Sequence, residues 1–208
     1  MSASADPAAV TGDIVEYLAA LESSRKFGPQ VVCHRIFAAT RQHPAAADPA
    51  LSPAVLDLLR IRGIDRLYAH QAEAIGHLLA GSHVVVATPT ASGKSMIFNL
   101  PVLDGLCTGT GGHALYLYPL KALAQDQLRV VGELAKQLQG GPTEGPVEVA
   151  AIYDGDSSSY QRRRIRDHLP PILMTNPDML HLSILPYHGN WSALFKGLRY
   201  VVIDEIHT

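Results

Sequence analysis

The chain has 208 residues, 47% of them hydrophobic and 17% charged, with 17 Lys and Arg against 19 Asp and Glu. That hydrophobic share excludes a chain disordered throughout, and a chain of this length buries enough surface to fold without a disulfide or metal staple. A formal net charge of −2 argues against holding nucleic acid by bulk positive charge, but it leaves room for a local basic groove.

No apolar run approaches the ~18 residues that a membrane span requires. The start, MSASADPAAVTGD, lacks the basic and apolar regions of a secretory signal. Two cysteines, Cys33 and Cys107, make neither a disulfide framework nor a zinc site, so a cytoplasmic protein is expected. At roughly 100–200 residues per domain, the length suits one domain with an appendage, or part of something larger.

Residues 1 to about 66 are Ala-rich and weakly patterned, and read as a small helical or irregular N-terminal extension and linker. Asp13 to Leu21 carries apolar side chains at helical spacing, which predicts a short amphipathic helix. His43 to Ala54 has three prolines and reads as a linker, and Val55 to Ile61 predicts another short helix closed by Gly63. From 67 onward the pattern becomes regular. Strands are predicted at Val84–Ala87, Ala114–Tyr118, Val147–Tyr153, Ile172–Thr175 and Tyr200–Asp204. Helices are predicted from Lys94 to about Leu106, over Lys121–Leu138, over roughly Ser158–His168 and over Pro177–Leu185. Continuously apolar strands are those buried on both faces, and their alternation with helices predicts a three-layer α/β domain with a mostly parallel sheet over 67–208.

The strand Val84–Ala87 runs into Thr88-Pro-Thr-Ala-Ser-Gly-Lys-Ser95, which opens a helix. Backbone N–H groups at a helix N-terminus, here from Thr90, Ala91, Ser92 and Gly93, suit a phosphate, and the helix dipole favours the anion. Gly93 permits close backbone approach. Lys94 places a point charge on the β- and γ-phosphates, and the Ser95 hydroxyl can ligate Mg²⁺. The first glycine of the G-x-x-x-x-G-K-[ST] pattern is Thr88 here. At the far end, Val201-Val-Ile-Asp-Glu-Ile-His207 delivers two adjacent acids from the C-terminal end of an apolar strand, where open α/β sheets place their ligands. Asp204 can hold Mg²⁺, and Glu205 can orient and deprotonate an attacking water. An ordinary turn with a surface lysine, and acids that merely end a strand, are the bland alternatives.

With TPTASGKS and DEIH in this order, the chain resembles the first RecA-like domain of superfamily-two helicases of the DEAD/DEAH-box kind. YAHQAEAI looks like the Q motif, which implies that Gln71 reads the adenine edge. Tyr118-Pro-Leu-Lys-Ala-Leu-Ala-Gln-Asp-Gln127 looks like motif Ia. YDGD and Thr175-Asn-Pro-Asp-Met-Leu180 stand where the GD-type element and motif Ib would. With LPYHGNW downstream, the wording is most similar to the MrfA-like branch of DNA-repair helicases. The resemblance implies an ATP- and Mg²⁺-dependent motor that meets nucleic-acid phosphates at Pro119, Lys121, Gly155, Asp156, Thr175 and Asn176. It also implies a second RecA-like domain beyond Thr208 that supplies an arginine finger. A chain without that domain is expected to bind nucleotide weakly and turn it over negligibly.

The residues themselves agree in part. Asn176 is a natural N-cap and Pro177 suits the first helical position, and Lys121 begins a helix. Such contacts go to the backbone and carry little base preference, so DNA, single-stranded or duplex, is the expected partner and RNA stays open. Gln161-Arg-Arg-Arg-Ile-Arg166 either faces solvent or flanks the strand groove, and Trp191 is a candidate for base stacking. Tyr116 and Tyr118 are expected in the core. No protein metal site other than the Mg²⁺ position is expected. A nucleotide-gated clamp without hydrolysis and a P-loop kinase are the competing readings.

Overall fold

The computed structural model describes residues 14–33, 35, 43–88, 92–138 and 148–205. The chain forms two compact units, Met1–Arg41 and Gln42–Thr208. In the first, helix α1 (Ile14–Ser23) and a 3-10 turn (Gly28–Gln30) are described, and Tyr17, Phe27 and Val32 are exposed.

The second unit is built on four parallel strands in the order β2-β3-β1-β4: β1 (His113–Leu117), β2 (Ala150–Ile152), β3 (Ile172–Thr175) and β4 (Leu198–Ile203). Helices α2 (Pro53–Ile61), α3 (Ala69–Leu79), α4 (Lys94–Thr108), α5 (Lys121–Leu138), α6 (Ser159–Asp167), α7 (Pro177–Met179) and α8 (Ser192–Gly197) connect and cover them. A π-helical turn, Leu180–Ile184, continues α7.

Side chains alternate across the central strands as a strand requires. Ala114, Tyr116, Ile172 and Met174 point to one face and pack with Val102 and Leu103 of α4 and Val131 and Leu134 of α5. Leu115, Leu117 and Leu173 point to the other and meet Ile165, Ile184, Trp191 and Leu194. This is the expected three-layer domain. Burial on both faces explains the uninterrupted apolar run of β3, whereas β4, at the sheet edge, leaves Val201 and Ile203 half exposed. A third cluster joins Ile75 of α3 and Ile97 and Leu100 of α4 to Leu51, Val55 and Leu59, which come from the stretch read as linker and short helix.

Two expectations need correction. Val84–Ala87 is not a strand: it makes no ladder with β4, and Val85 is 93% exposed. Val84 and Val86 instead pack on the α3–α4 cluster, so side-chain packing rather than a ladder holds the segment. The stretch Val147–Tyr153 forms a strand only over Ala150–Ile152. Gly109 ends α4 at φ 68°, a left-handed position that glycine adopts without penalty. Among the described residues no helix is long and apolar enough to cross a membrane.

Candidate nucleotide site and nucleic-acid face

The phosphate loop is held from beneath by α3. Gln71, 4% exposed, accepts a hydrogen bond at Oε1 from the Tyr68 N–H (3.0 Å) and donates through Nε2 to the Gly93 carbonyl (3.0 Å). Beside it, His70 Nε2 lies 3.2 Å from the Ser92 carbonyl. A carbonyl can only accept, so this contact fixes Nε2 as the protonated ring nitrogen. The buried amide of Gln71 therefore braces the loop in this conformation.

Gly93 is required twice over. Its φ is 75°, and a Cβ there would lie 2.5 Å from Gln71 Nε2. Lys94 turns back and donates to the Thr88 carbonyl (2.9 Å), while the Thr88 and Ser92 hydroxyls are 2.6 Å apart. The loop's own polar atoms thus occupy the groups that a phosphate would engage. Ser95, in the first turn of α4, is half-buried. Thr90 and Ala91 lie outside the described residues, as does His207.

Asp204 follows the last residue of β4, its N–H bonded to the Leu117 carbonyl (3.1 Å) and its Oδ1 accepting from the Glu205 N–H (3.1 Å). Glu205 has φ 51°. A non-glycine residue there costs of order 1–3 kcal/mol, a strain that proteins concentrate at functional sites. Lys94 and Asp204 line one cleft of about 160 Å³, between 84–86, α4 and β4. That volume is below the roughly 300–1,000 Å³ of small-molecule pockets, and Val84, Val86, Phe98 and Tyr200–Ile203 make it mostly apolar. It is the gap beside the sheet edge, with the lysine and the acid among its lining residues. Among the described residues no cluster of three or more His, Cys, Asp or Glu side chains is placed to hold a metal ion. A serine hydroxyl and one carboxylate are hard oxygen donors and too few for a caged ion, which fits a magnesium ion that keeps most of its water.

A larger cavity lies elsewhere, about 480 Å³ along β2, lined by Lys121, Glu148, Asp154, Asp156 and Arg164 among others. Here Lys121 forms an ion pair with Asp156, and the hydrogen bond to that carboxylate raises the lysine pKa. The Asp154 carboxylate accepts from the Asp156 and Ser157 N–H groups (3.1 and 2.9 Å), which shapes the Gly155–Asp156 turn. Arg162 donates to the Gly155 carbonyl (2.8 Å). Lys121, Thr175 and Asn176 line a second, much smaller hollow between β1 and β3. The Thr175 hydroxyl is buried and donates to the Tyr153 carbonyl (2.6 Å), while the Asn176 side chain caps the Met179 N–H (2.8 Å). Pro119 lies in the turn between β1 and α5.

The basic cluster turns inward or onto neighbouring acids. Arg162 lies over the Tyr153 ring, Arg163 pairs with Asp167, Arg164 with Glu148, and Arg166 reaches the Tyr153 hydroxyl. Trp191 is 2% exposed and packs edge-on against Tyr153 at 4.9 Å, so the expectation that it stacks on bases does not hold in this fold. Sequence reading missed the His70 contact and the Lys121–Asp156 pair. His70 adjoins the glutamine and was a legible signal, but the pair joins the start of α5 to the turn after β2, 35 residues apart in the chain.

The chain is similar to several known proteins. The chain is 42% identical over 172 residues to the ATP-dependent helicase YprA of Bacillus subtilis, covering 82% of this chain and 21% of that one. It is 36% identical over 197 residues to the ATP-dependent helicase hrq1 of Schizosaccharomyces pombe, covering 93% and 18%. The crystal structure of DUF1998 helicase MrfA bound to DNA and AMPPNP superposes with a TM-score of 0.72 at 39% identity, over 81% of this chain and 23% of that one. The DEAD-box helicase Mss116 bound to ssRNA and UDP-BeF, at 17% identity and a TM-score of 0.61, shares the fold. The chain thus spans about a fifth of the length of the curated relatives it matches. Residues 68–208 match the family model described as DEAD/DEAH box helicase, and the chain belongs to that family.

Proposed function

We propose that residues 67–208 are the ATP-binding RecA-like lobe of an ATP-dependent DNA helicase or translocase, with 1–66 as an N-terminal extension. The observation that carries this reading is the convergence of Lys94, at the start of α4, and Asp204, after β4, on one cleft within a chain of this family. In this reading Lys94 releases the Thr88 carbonyl and takes the β- and γ-phosphates, joined by the loop N–H groups of Thr90 to Gly93. Ser95 and Asp204 would hold Mg²⁺, which would supply charge neutralisation at the phosphates. Glu205 accepts the proton of the water that attacks the γ-phosphorus. Gln71 braces the loop and stands where it meets the adenine.

Nucleic-acid phosphates lie along the ends of β1, β2 and β3, at Pro119, Lys121, Gly155, Asp156, Thr175 and Asn176. DNA is the substrate favoured by the relatives, whose names and structures include DNA helicases and a DNA complex. A second RecA-like domain would close on the nucleotide, and ATP-driven closing and reopening would shift the grip on one strand. Replacing Glu205 by Gln in the full-length protein should lower DNA-stimulated ATP hydrolysis by about 10²-fold or more while nucleotide binding persists. An unchanged hydrolysis rate would reject the assignment of Glu205, and DNA binding without any hydrolysis by the unmodified protein would favour a clamp over a motor.

A further inference from the structure

Beneath the proposed nucleotide site runs a row of buried aromatic and polar groups that the reading above does not use. Tyr116 donates from its hydroxyl to Asn99 Oδ1 on α4 (3.1 Å), both residues being fully buried. Its ring meets the Tyr118 ring edge-on at 6.3 Å. Tyr118 is 1% exposed, and its hydroxyl has no hydrogen-bond partner. A buried hydroxyl without a partner costs roughly 1–3 kcal/mol, and native proteins rarely leave one so.

The strand register says what lies beside it. Tyr116 pairs with Val202 and Leu117 with Ile203, so continuing the ladder sets Tyr118 opposite Asp204. Alternation then places both side chains on the face of the sheet that α4 covers, as it does Tyr116 and Val202. Burial first, and then the nearby Asp204 carboxylate, push the Tyr118 phenol above its ordinary range. Asp204 accepts from the Glu205 N–H at one oxygen only. Among the described residues, no bonded donor is found on the other. A buried donor and an acid thus sit side by side, unjoined, where the metal-holding group must be aimed.

Resting on the nucleotide-site reading, we propose that the Tyr118 hydroxyl donates a hydrogen bond to the Asp204 carboxylate in the magnesium–nucleotide state, making Tyr118 the positioning residue for that acid. Its place in the chain gives this bond a second consequence. The Tyr118 N–H is bonded to the Thr175 carbonyl (2.9 Å), and Tyr118 precedes Pro119 and Lys121. The residue that aims the acid is therefore spliced directly into the strand ends assigned to nucleic acid, and strand binding there bears on Asp204 through one side chain.

The test is a double-mutant cycle on the 208-residue chain, titrating AMPPNP with and without Mg²⁺. Tyr118→Phe keeps the ring and removes only the hydroxyl. Binding without Mg²⁺ should hold within about twofold, whereas the tightening that Mg²⁺ provides should fall about tenfold, the worth of one hydrogen bond to a charged group at the lower end of its range. In an Asp204→Asn background the same substitution should change nothing further. Thermal unfolding without nucleotide gives a second readout: losing an unpartnered hydroxyl should leave the melting temperature unchanged or raise it. An equal loss in both backgrounds, an equal loss with and without Mg²⁺, no loss at all, or a clear drop in the nucleotide-free melting temperature would each overturn the proposal while leaving the site standing. Failure of the unmodified chain to bind AMPPNP more tightly with Mg²⁺ would overturn the site reading, and the proposal with it.

Discussion

The two proposed faces of this domain are built from opposite materials. At the candidate phosphate loop the polar groups are buried or half-buried and joined to backbone: buried Gln71 to Tyr68 and Gly93, and half-buried Lys94 to Thr88. At the ends of β1 and β2 they are exposed ion pairs, Lys121 with Asp156 and Arg164 with Glu148. Buried hydrogen bonds are costly to break because the abandoned partner loses water as well, whereas exposed pairs are screened by solvent and salt. The first face is therefore held, over its described residues, by hydrogen bonds to backbone. The second is a set of charges free to exchange partners, which suits a strand that must be gripped and released.

This contrast can be broken most sharply at Gly93. Gly93→Ala would force a left-handed residue and drive Cβ into the Gln71 amide, so it should cost about 2–4 kcal/mol of stability from strain plus the displaced hydrogen bonds. Chemical unfolding of the 208-residue chain reads this, and a loss under about 1 kcal/mol would show that the loop relaxes easily. Next in size, Gln71→Ala leaves the Tyr68 N–H and the Gly93 carbonyl without their partner and should cost roughly 1–3 kcal/mol. Nucleotide affinity should fall with it, and an unchanged melting temperature would mean that Gln71 does not brace the loop.

The smallest effect is expected on the exposed face, and with the opposite sign. Asp156→Asn frees Lys121 and removes a negative charge from the path of a phosphate backbone. It should tighten single-stranded DNA binding by about two- to fivefold at low salt and steepen the salt dependence by up to about one released ion. Titrations across a salt series check both, and weaker binding would show that Asp156 itself holds the strand.

How much of this was legible beforehand depends on the range of the interaction. The strands β1 and β3 were readable because burial on both faces writes itself as an unbroken apolar run, and α5 because its apolar residues recur at helical spacing. Asn176 capping Met179 and Ser158 capping Gln161 were within reach of local rules, since the donor lies three residues from the acceptor. Val84–Ala87 misled for the same reason: four β-prone residues describe a strand, but a strand also needs a partner edge, and side-chain packing took this one to α3 and α4 instead. Trp191 misled because an aromatic residue near charged loops looks available, whereas its ring fills the space beside Tyr153.

Local chemistry in the sequence was enough for the layered α/β architecture, because its central strands and helices are each carried by a few consecutive residues whose backbone and side-chain preferences agree. The tertiary structure decided which groups face one another: that Gln71 holds Gly93, that Lys121 meets Asp156, and that Tyr118 comes level with Asp204 on the adjoining strand. Those pairings join residues from separate elements, and only the register of the sheet and the packing of helices on it sets their distances.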